Sequence, residues 1–309
     1  MSPIIEVTHL TKKYNNFTAV DNLSFSVNEG DIYGFLGQNG AGKSTTIRML
    51  LTLIKPVAGE IKIFGKDLAQ DRSHILRDIG AVIEKPDLYK YLSAYDNLKI
   101  FAKMSGAKVN HTMLMDQLEM VGLAERAKSK VKTYSQGMKQ RLGIAVALIH
   151  DPKLIILDEP TNGLDPQGIA DIRNLILHLS KEMGKTVVIS SHLLSEIEVI
   201  ANRMLIIDKG KKVIEGNVAE LLDPAHTFIE IETTDNIAAN QKLQQTNWST
   251  YIQPGNQLQL KMHKDDVPQL TADLVQMGIG ILSINSSHSL ENYFLSLTTQ
   301  SKHVEAFTN

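Results

Sequence analysis

Nine consecutive residues constrain this chain more than any others: Gly37-Gln38-Asn39-Gly40-Ala41-Gly42-Lys43-Ser44-Thr45. They fit the pattern glycine, four residues, Gly-Lys-Ser. A short apolar run, Ile32–Leu36, precedes them and a helical run, Thr45–Leu51, follows. Glycines admit positive φ, so backbone N–H groups in such a turn can converge on one point, and the helix behind adds the positive end of its dipole. A phosphate suits that point. Lys43 then supplies a charge at the β- and γ-phosphates of a nucleotide, and the Ser44 hydroxyl can ligate Mg²⁺. Gly37, Asn39, Gly40, Gly42, Lys43, Ser44 and Thr45 are the expected binding set. An ordinary glycine turn before a helix is the competing explanation, and it leaves Lys43-Ser44 without a purpose.

The surrounding pattern agrees with such a site. Ile32–Leu36, Leu154–Leu157, Val187–Ser190 and Met204–Ile207 are continuous apolar runs, which suit strands covered on both faces by helices. Ile4–Val7 and Leu23–Val27 alternate and read as antiparallel strand. The run from Leu154 ends in Asp158-Glu159-Pro160. Acids found only at the C-terminal end of a buried strand are delivered to the ligand crevice of an open α/β sheet. Asp158 fits a Mg²⁺ carboxylate, direct or one layer out. Glu159, on the other side by strand alternation, can orient or deprotonate a water attacking the γ-phosphate.

At 309 residues, and about 100–200 residues per domain, two domains are expected. The first spans 1–224, with a mostly helical insertion over about 87–150 whose clearest stretches are Asp96–Met104 and Met113–Val121. Beyond Pro224 arginine disappears and glutamine becomes frequent. The remainder, 225–309, reads β-α-β-β-α-β. Its strands are expected at Thr227–Thr233, Ser249–Gln253, Gln257–His263 and Ile281–Ile284, its helices at Asn236–Gln245 and Asp265–Met277, with a turn at Pro254-Gly255. That order is the order of a small ferredoxin-like unit. The fold class is therefore α/β, a mixed sheet core with an antiparallel part and a helical insertion, followed by a small α+β domain. A net charge of −2 argues against a nucleic-acid partner, and the absence of cysteine excludes disulfides and thiolate metal sites. No apolar run approaches the ~18 residues of a membrane helix, and the first residues lack the pattern of a secretory signal, so a cytoplasmic location is expected.

Further segments carry a resemblance. Tyr134-Ser135-Gln136-Gly137-Met138-Lys139-Gln140 precedes Asp158, and Asn162-Gly163-Leu164-Asp165-Pro166 follows it. His192 ends the strand Val187–Ser191, Tyr14 stands upstream of the glycine loop, and Glu84 follows Ile79–Ile83. In this order and spacing the chain resembles the ATP-binding subunit of an ABC (ATP-binding cassette) transporter over roughly residues 2–220. The resemblance implies ATP and Mg²⁺ as cofactors. It implies that Tyr14 stacks on adenine, that His192 contacts the γ-phosphate, and that Asp165 lies across a dimer interface. Ser135 and Gly137 would bind the γ-phosphate of the ATP held by a second subunit. A serine at a helix start followed by a glycine also exposes a hydroxyl and N–H groups to an anion.

Two departures from the family pattern stand out. Its usual signature is Leu-Ser-Gly-Gly-Gln, in which Tyr134, Gln136 and Met138 replace three residues while Ser135 and Gly137 remain. Glutamine is usual where this chain has Glu84, whose charge calls for direct or water-bridged contact with Mg²⁺. Glu84, with Pro86, Leu88 and Tyr89, is similar to the bacitracin-resistance and lantibiotic-immunity branch, and so is the tail Ser289–Phe294. The expected role is the ATPase of an exporter of antimicrobial peptides, antibiotics or other amphipathic molecules. Its partners would be a separate membrane permease and a second ATP-binding subunit, identical or related, which would hold the chain at the inner face of the membrane. A soluble ABC ATPase acting on ribosomes or DNA is the alternative. Such proteins usually fuse two cassettes or carry coiled-coil or basic insertions, and this chain has one glycine loop and neither insertion. A P-loop kinase would leave Tyr134–Gln140 unexplained.

Overall fold

The computed structural model describes residues 3–221, 227–253 and 258–288. The chain divides into two compact units, Met1–Gly216 and Asn217–Asn309, and each is taken by itself.

In the first unit two sheets share the work. Strands β1 (Pro3–Tyr14), β2 (Phe17–Asn28), β4 (Ala58–Ile63) and β5 (Lys66–Asp67) make a four-stranded sheet in the order β2-β1-β4-β5 with antiparallel pairing throughout. Its alternating burial keeps Ile5, Val7, Leu23, Phe25 and Val27 inside. The second sheet contains β3 (Ile32–Leu36), β6 (Ile79–Val82), β7 (Leu154–Asp158), β8 (Thr186–Ser191), β9 (Arg203–Asp208) and β10 (Lys211–Asn217) in the order β10-β9-β3-β8-β7-β6. From β9 to β6 the neighbours run parallel. Every residue of β3, β7 and β8 is buried, as expected for strands covered on both faces. The inward side chains of both sheets meet in one apolar core around Tyr33, Phe35, Ile47, Leu154, Val188 and Leu205.

Helices α1 (Lys43–Leu50), α2 (Arg72–Arg77), α6 (Pro166–Lys181) and α7 (Leu194–Ile200) connect these strands. Between β6 and β7 lie α3 (Ala94–Ser105), α4 (His111–Met120) and α5 (Gln136–Leu148), the helical stretch expected there. Polar residues define its helix ends. Ser93 caps α3 by accepting from the Asp96 amide, Asn110 caps α4 through the Met113 amide, and Gly106 closes α3 at φ 76°. Asn97, fully buried, donates to the Tyr89 and Ser93 carbonyls and accepts from the Tyr89 amide, so a single side chain ties the loop after Glu84 to α3. No helix of the described residues is long and apolar enough to cross a membrane.

The second unit begins with one helical turn, α8 (Val218–Leu221). Its antiparallel sheet of β11 (Thr227–Thr233), β12 (Leu258–Lys261) and β13 (Ile281–His288) has the order β12-β11-β13 and packs with α9 (Asn236–Leu243) and α10 (Val267–Gln276) around Ile229, Ile231, Leu243, Leu260, Leu270 and Leu274. Gly278, at φ 71°, follows α10 as anticipated. The strand expected at Ser249–Gln253 is replaced by a 3₁₀ helix over Asn247–Tyr251, and only Ile252 bridges to Leu260. The reason is local: the Thr246 hydroxyl accepts from the Trp248 amide, and the Trp248 indole donates to Asp273 Oδ2 at 2.8 Å. Those bonds curl the backbone where alternation alone suggested extension. Pro224, the turn at Pro254-Gly255 and the tail Ser289–Phe294 lie outside the described residues.

Candidate nucleotide site

The glycine loop joins β3 to α1 at the C-terminal end of the parallel sheet, where an open α/β fold places its ligands. Gly40 and Gly42 take φ of 85° and 107°, conformations that side-chain-bearing residues rarely adopt. A Cβ on Gly42 would also stand 2.6 Å from the Ala19 carbonyl oxygen, and one on Gly37 equally close to that of Ile207. The loop is thus held in a tight turn by strands on either side. Lys43 is buried at the first turn of α1. Its ammonium donates to the Gly37 and Gln38 carbonyls and lies 3.0 Å from Glu159 Oε1, near enough for charge attraction without hydrogen-bond alignment.

Asp158 and Glu159 end β7 two strands away, and Ser190 of β8 registers them. Its hydroxyl donates to Asp158 Oδ1 at 2.6 Å and accepts from the Glu159 amide at 2.8 Å. Asp158 is 1% exposed, and its second oxygen, Oδ2, has no protein partner. A buried carboxylate oxygen left without a donor suits a cation. With the Ser44 hydroxyl on the cleft wall, this donor set fits Mg²⁺. Glu159 sits at φ 49°, a left-handed strain of about 1–2 kcal/mol for a non-glycine residue. Its Oε2 lies 2.8 Å from His192 Nδ1. The acid therefore stands between Lys43 on one side and His192 on the other.

A cleft of about 290 Å³ opens at this point. It is lined by Tyr14, Phe17, Asn39, Gly40, Gly42, Lys43, Ser44, Thr45 and Glu159, among others. Most of the expected residues are thus brought together. Tyr14 closes the β1–β2 hairpin opposite Phe17, with the Lys12 ammonium 5.0 Å from its ring. Phe17 was not anticipated; an aromatic three residues past Tyr14, across a two-residue turn, is the signal that could have found it. Ser190 also went unremarked, although Ser190-Ser191 are hydroxyls at the end of an apolar strand, where the acids' neighbours must be.

Seven expected residues are not among the cleft's walls: Gly37, Asp158 and His192 stand behind it, bonded to Lys43, Ser190 and Glu159, and four others are engaged elsewhere. Glu84 is exposed and paired with Arg48 of α1 rather than turned to the glycine loop. Ser135 caps α5 by accepting from the Met138 amide, and Asp165 caps α6 by accepting from the Gly168 amide. Both are exposed, and Gly137 is half-buried, with Gly168 and Leu164 in ordinary contact distance of its α-carbon's free side. Gln136 donates to the Asn162 carbonyl, joining those two cap regions into one outward surface. The substituted Tyr134 is buried, its hydroxyl bonded to the Arg126 carbonyl.

Known proteins resemble this chain in sequence and in fold. The family profile described as ABC transporter matches residues 20–162. The uncharacterized ABC transporter ATP-binding protein YhcH of Bacillus subtilis (strain 168) is 42% identical over 305 residues, covering 98% of each chain. The bacitracin transport ATP-binding protein BcrA of Bacillus licheniformis is 45% identical, over 96% of this chain and 98% of its own. The lantibiotic transport ATP-binding protein SrtF of Streptococcus pyogenes is 44% identical over 69% of this chain and 90% of its own. Among solved structures, an ATP-binding cassette in its ADP conformation superposes with a TM-score of 0.65 at 25% identity, covering 72% of this chain and 96% of the other. A dimeric cassette in a post-hydrolysis state with ADP and Pi gives 0.63 at 26% identity, over 69% and 98%. With relatives matched along nearly its whole length, this chain belongs to the ATP-binding proteins of ABC transporters and is an ATPase of that family.

Proposed function

We propose that the chain powers an exporter of antimicrobial peptides of the bacitracin or lantibiotic kind, by closing with a second ATP-binding subunit beneath a separate permease. One observation carries this reading. The phosphate cradle and Glu159 line one cleft, with Asp158 buried next to Glu159, whereas Ser135 and Gly137, which suit the same anion, are not among its walls. A second subunit would bring its own Ser135 and Gly137 to that cleft and complete it. The choice of cargo leans on the relatives named for bacitracin and lantibiotic transport. The soluble alternative is not favoured, because relatives matching nearly the full chain are transport proteins.

In this reading the glycine-loop amides and Lys43 hold the triphosphate, Tyr14 and Phe17 flank the base, and Ser44 and Asp158 hold Mg²⁺. The metal neutralises phosphate charge when bound. Glu159 takes the proton of the attacking water, and His192 keeps its carboxylate turned toward the γ-phosphate. Asp165 lies at the seam between subunits. Residues 1–224 act as the ATP-binding domain and 225–309 as an accessory domain that dimerises or regulates. Glu84, paired with Arg48, would reach the metal only by leaving that partner. The chain sits at the inner face of the membrane through its permease.

Co-purification with a membrane permease, reconstitution of the complex in vesicles, and ATPase assays with bacitracin, lantibiotics and an unrelated small drug test the proposal. Stimulation by the peptides and not by the drug is expected. Failure of every peptide to raise turnover in a coupled complex would refute the cargo assignment.

A further inference from the structure

Two adjacent serines at the end of β8 divide their duties. Ser190 serves the acids, as described. The Ser191 hydroxyl instead donates to Glu196 Oε2 at 2.7 Å while accepting from the Leu193 amide. The same Glu196 oxygen accepts from the Thr161 hydroxyl at 2.8 Å. Thr161 follows Glu159 by two residues, and Ser191 immediately precedes His192. Thr161 and Ser191 are both buried. With the carboxylate they line a small cavity whose other walls include Ile169, Ile176, Ile189, Ile200 and Arg173. Hydrogen bonds in so small and mostly apolar a recess meet little competition from water, so they hold their geometry firmly. Glu196 stands in the first turn of α7, whose dipole favours its charge.

We propose that Glu196 is a positioning residue for hydrolysis. A single carboxylate oxygen fixes the segment behind Glu159 against the segment ahead of His192, and so sets the 2.8 Å contact between them. It touches neither the phosphate cradle nor the cleft lining. Its loss therefore acts on how Glu159 and His192 meet, not on how ATP is held. The inference rests on the reading that this pair acts on the attacking water.

The test is steady-state ATPase, nucleotide affinity and melting temperature on the purified full chain, with Glu159→Gln as reference. Glu196→Ala is expected to lower kcat about tenfold, as loss of charge-assisted bonds beside a reacting group does, with KM and nucleotide affinity within about twofold. Glu196→Gln keeps an oxygen that can accept both hydroxyls and is expected to restore kcat to within about threefold of the parent. Thr161→Val should lower kcat alone and add nothing in the Glu196→Ala background, since the link is already cut. An unchanged kcat in Glu196→Ala, beside an inactive Glu159→Gln, overturns the proposal. So does a joint fall of kcat, affinity and melting temperature that Glu196→Gln fails to repair. Full activity in Glu159→Gln would sink the reading beneath it, and this inference with it.

Discussion

Ser190 holds two groups of the site with one hydroxyl, donating a hydrogen bond to Asp158 and accepting one from the Glu159 amide. Replacing it with alanine leaves both buried partners unsatisfied, so Ser190→Ala should cost about 1–3 kcal/mol in urea unfolding and also slow ATP turnover. Lys43→Ala removes the only side-chain cation lining the cleft among the described residues and should abolish tight ATP binding by calorimetry. Unchanged affinity would contradict the cradle assignment. At the opposite end of β3, burial above all, with the Glu215 carboxylate beside it, holds the Tyr33 phenol well above its ordinary value. The folded chain keeps the proton that an unfolded chain gives up near pH 10, so stability is full below about pH 10 and declines above it. Tyr33→Phe should flatten that alkaline decline in urea titrations at pH 8 and 10.5. It should also lower stability at pH 8, because Glu215 loses a donor.

Among the elements, the turn between β3 and α1 was legible because its instructions are consecutive: positive-φ glycines, then Lys43-Ser44, then a helix. Gly42→Ala tests this directly. At φ 107°, with a carbonyl oxygen 2.6 Å from the new methyl group, it should distort the cradle and remove ATP binding while the rest of the fold persists by circular dichroism. The covered strands were equally readable from their uninterrupted apolar runs. What the sequence hid depends on register between distant strands. Ser190 faces Asp158 only because β7 and β8 pair in that alignment, and Phe17 joins Tyr14 only once the hairpin closes. Ser249–Gln253 misled for the converse reason: short side-chain bonds at Thr246 and Trp248 outweighed an alternating pattern. Glu84 likewise has an obvious charge, but its pairing with Arg48 comes from the placement of α1 beside the end of β6.

Across the whole molecule, each unit has its own apolar core, one around Tyr33 and Phe35, the other around Ile229 and Leu260. The cleft belongs wholly to the first unit, while Ser135 and Gly137 lie elsewhere on it. Glu159→Gln with ATP and Mg²⁺ should therefore accumulate a dimer by light scattering, with turnover cut by roughly 10²–10⁴. A monomer under those conditions, still fully active, would refute closure between subunits. The Lys43–Glu159 contact has a consequence for energetics. An arriving polyanion meets an ammonium already engaged by two carbonyls and a carboxylate, so its capture is a swap of partners. The same swap releases Glu159 from its restraint. If Glu159 is the base, as proposed, fuel loading and its arming are one displacement, and the Glu159→Gln chain, whose competing charge is gone, should grip ATP more tightly than the parent.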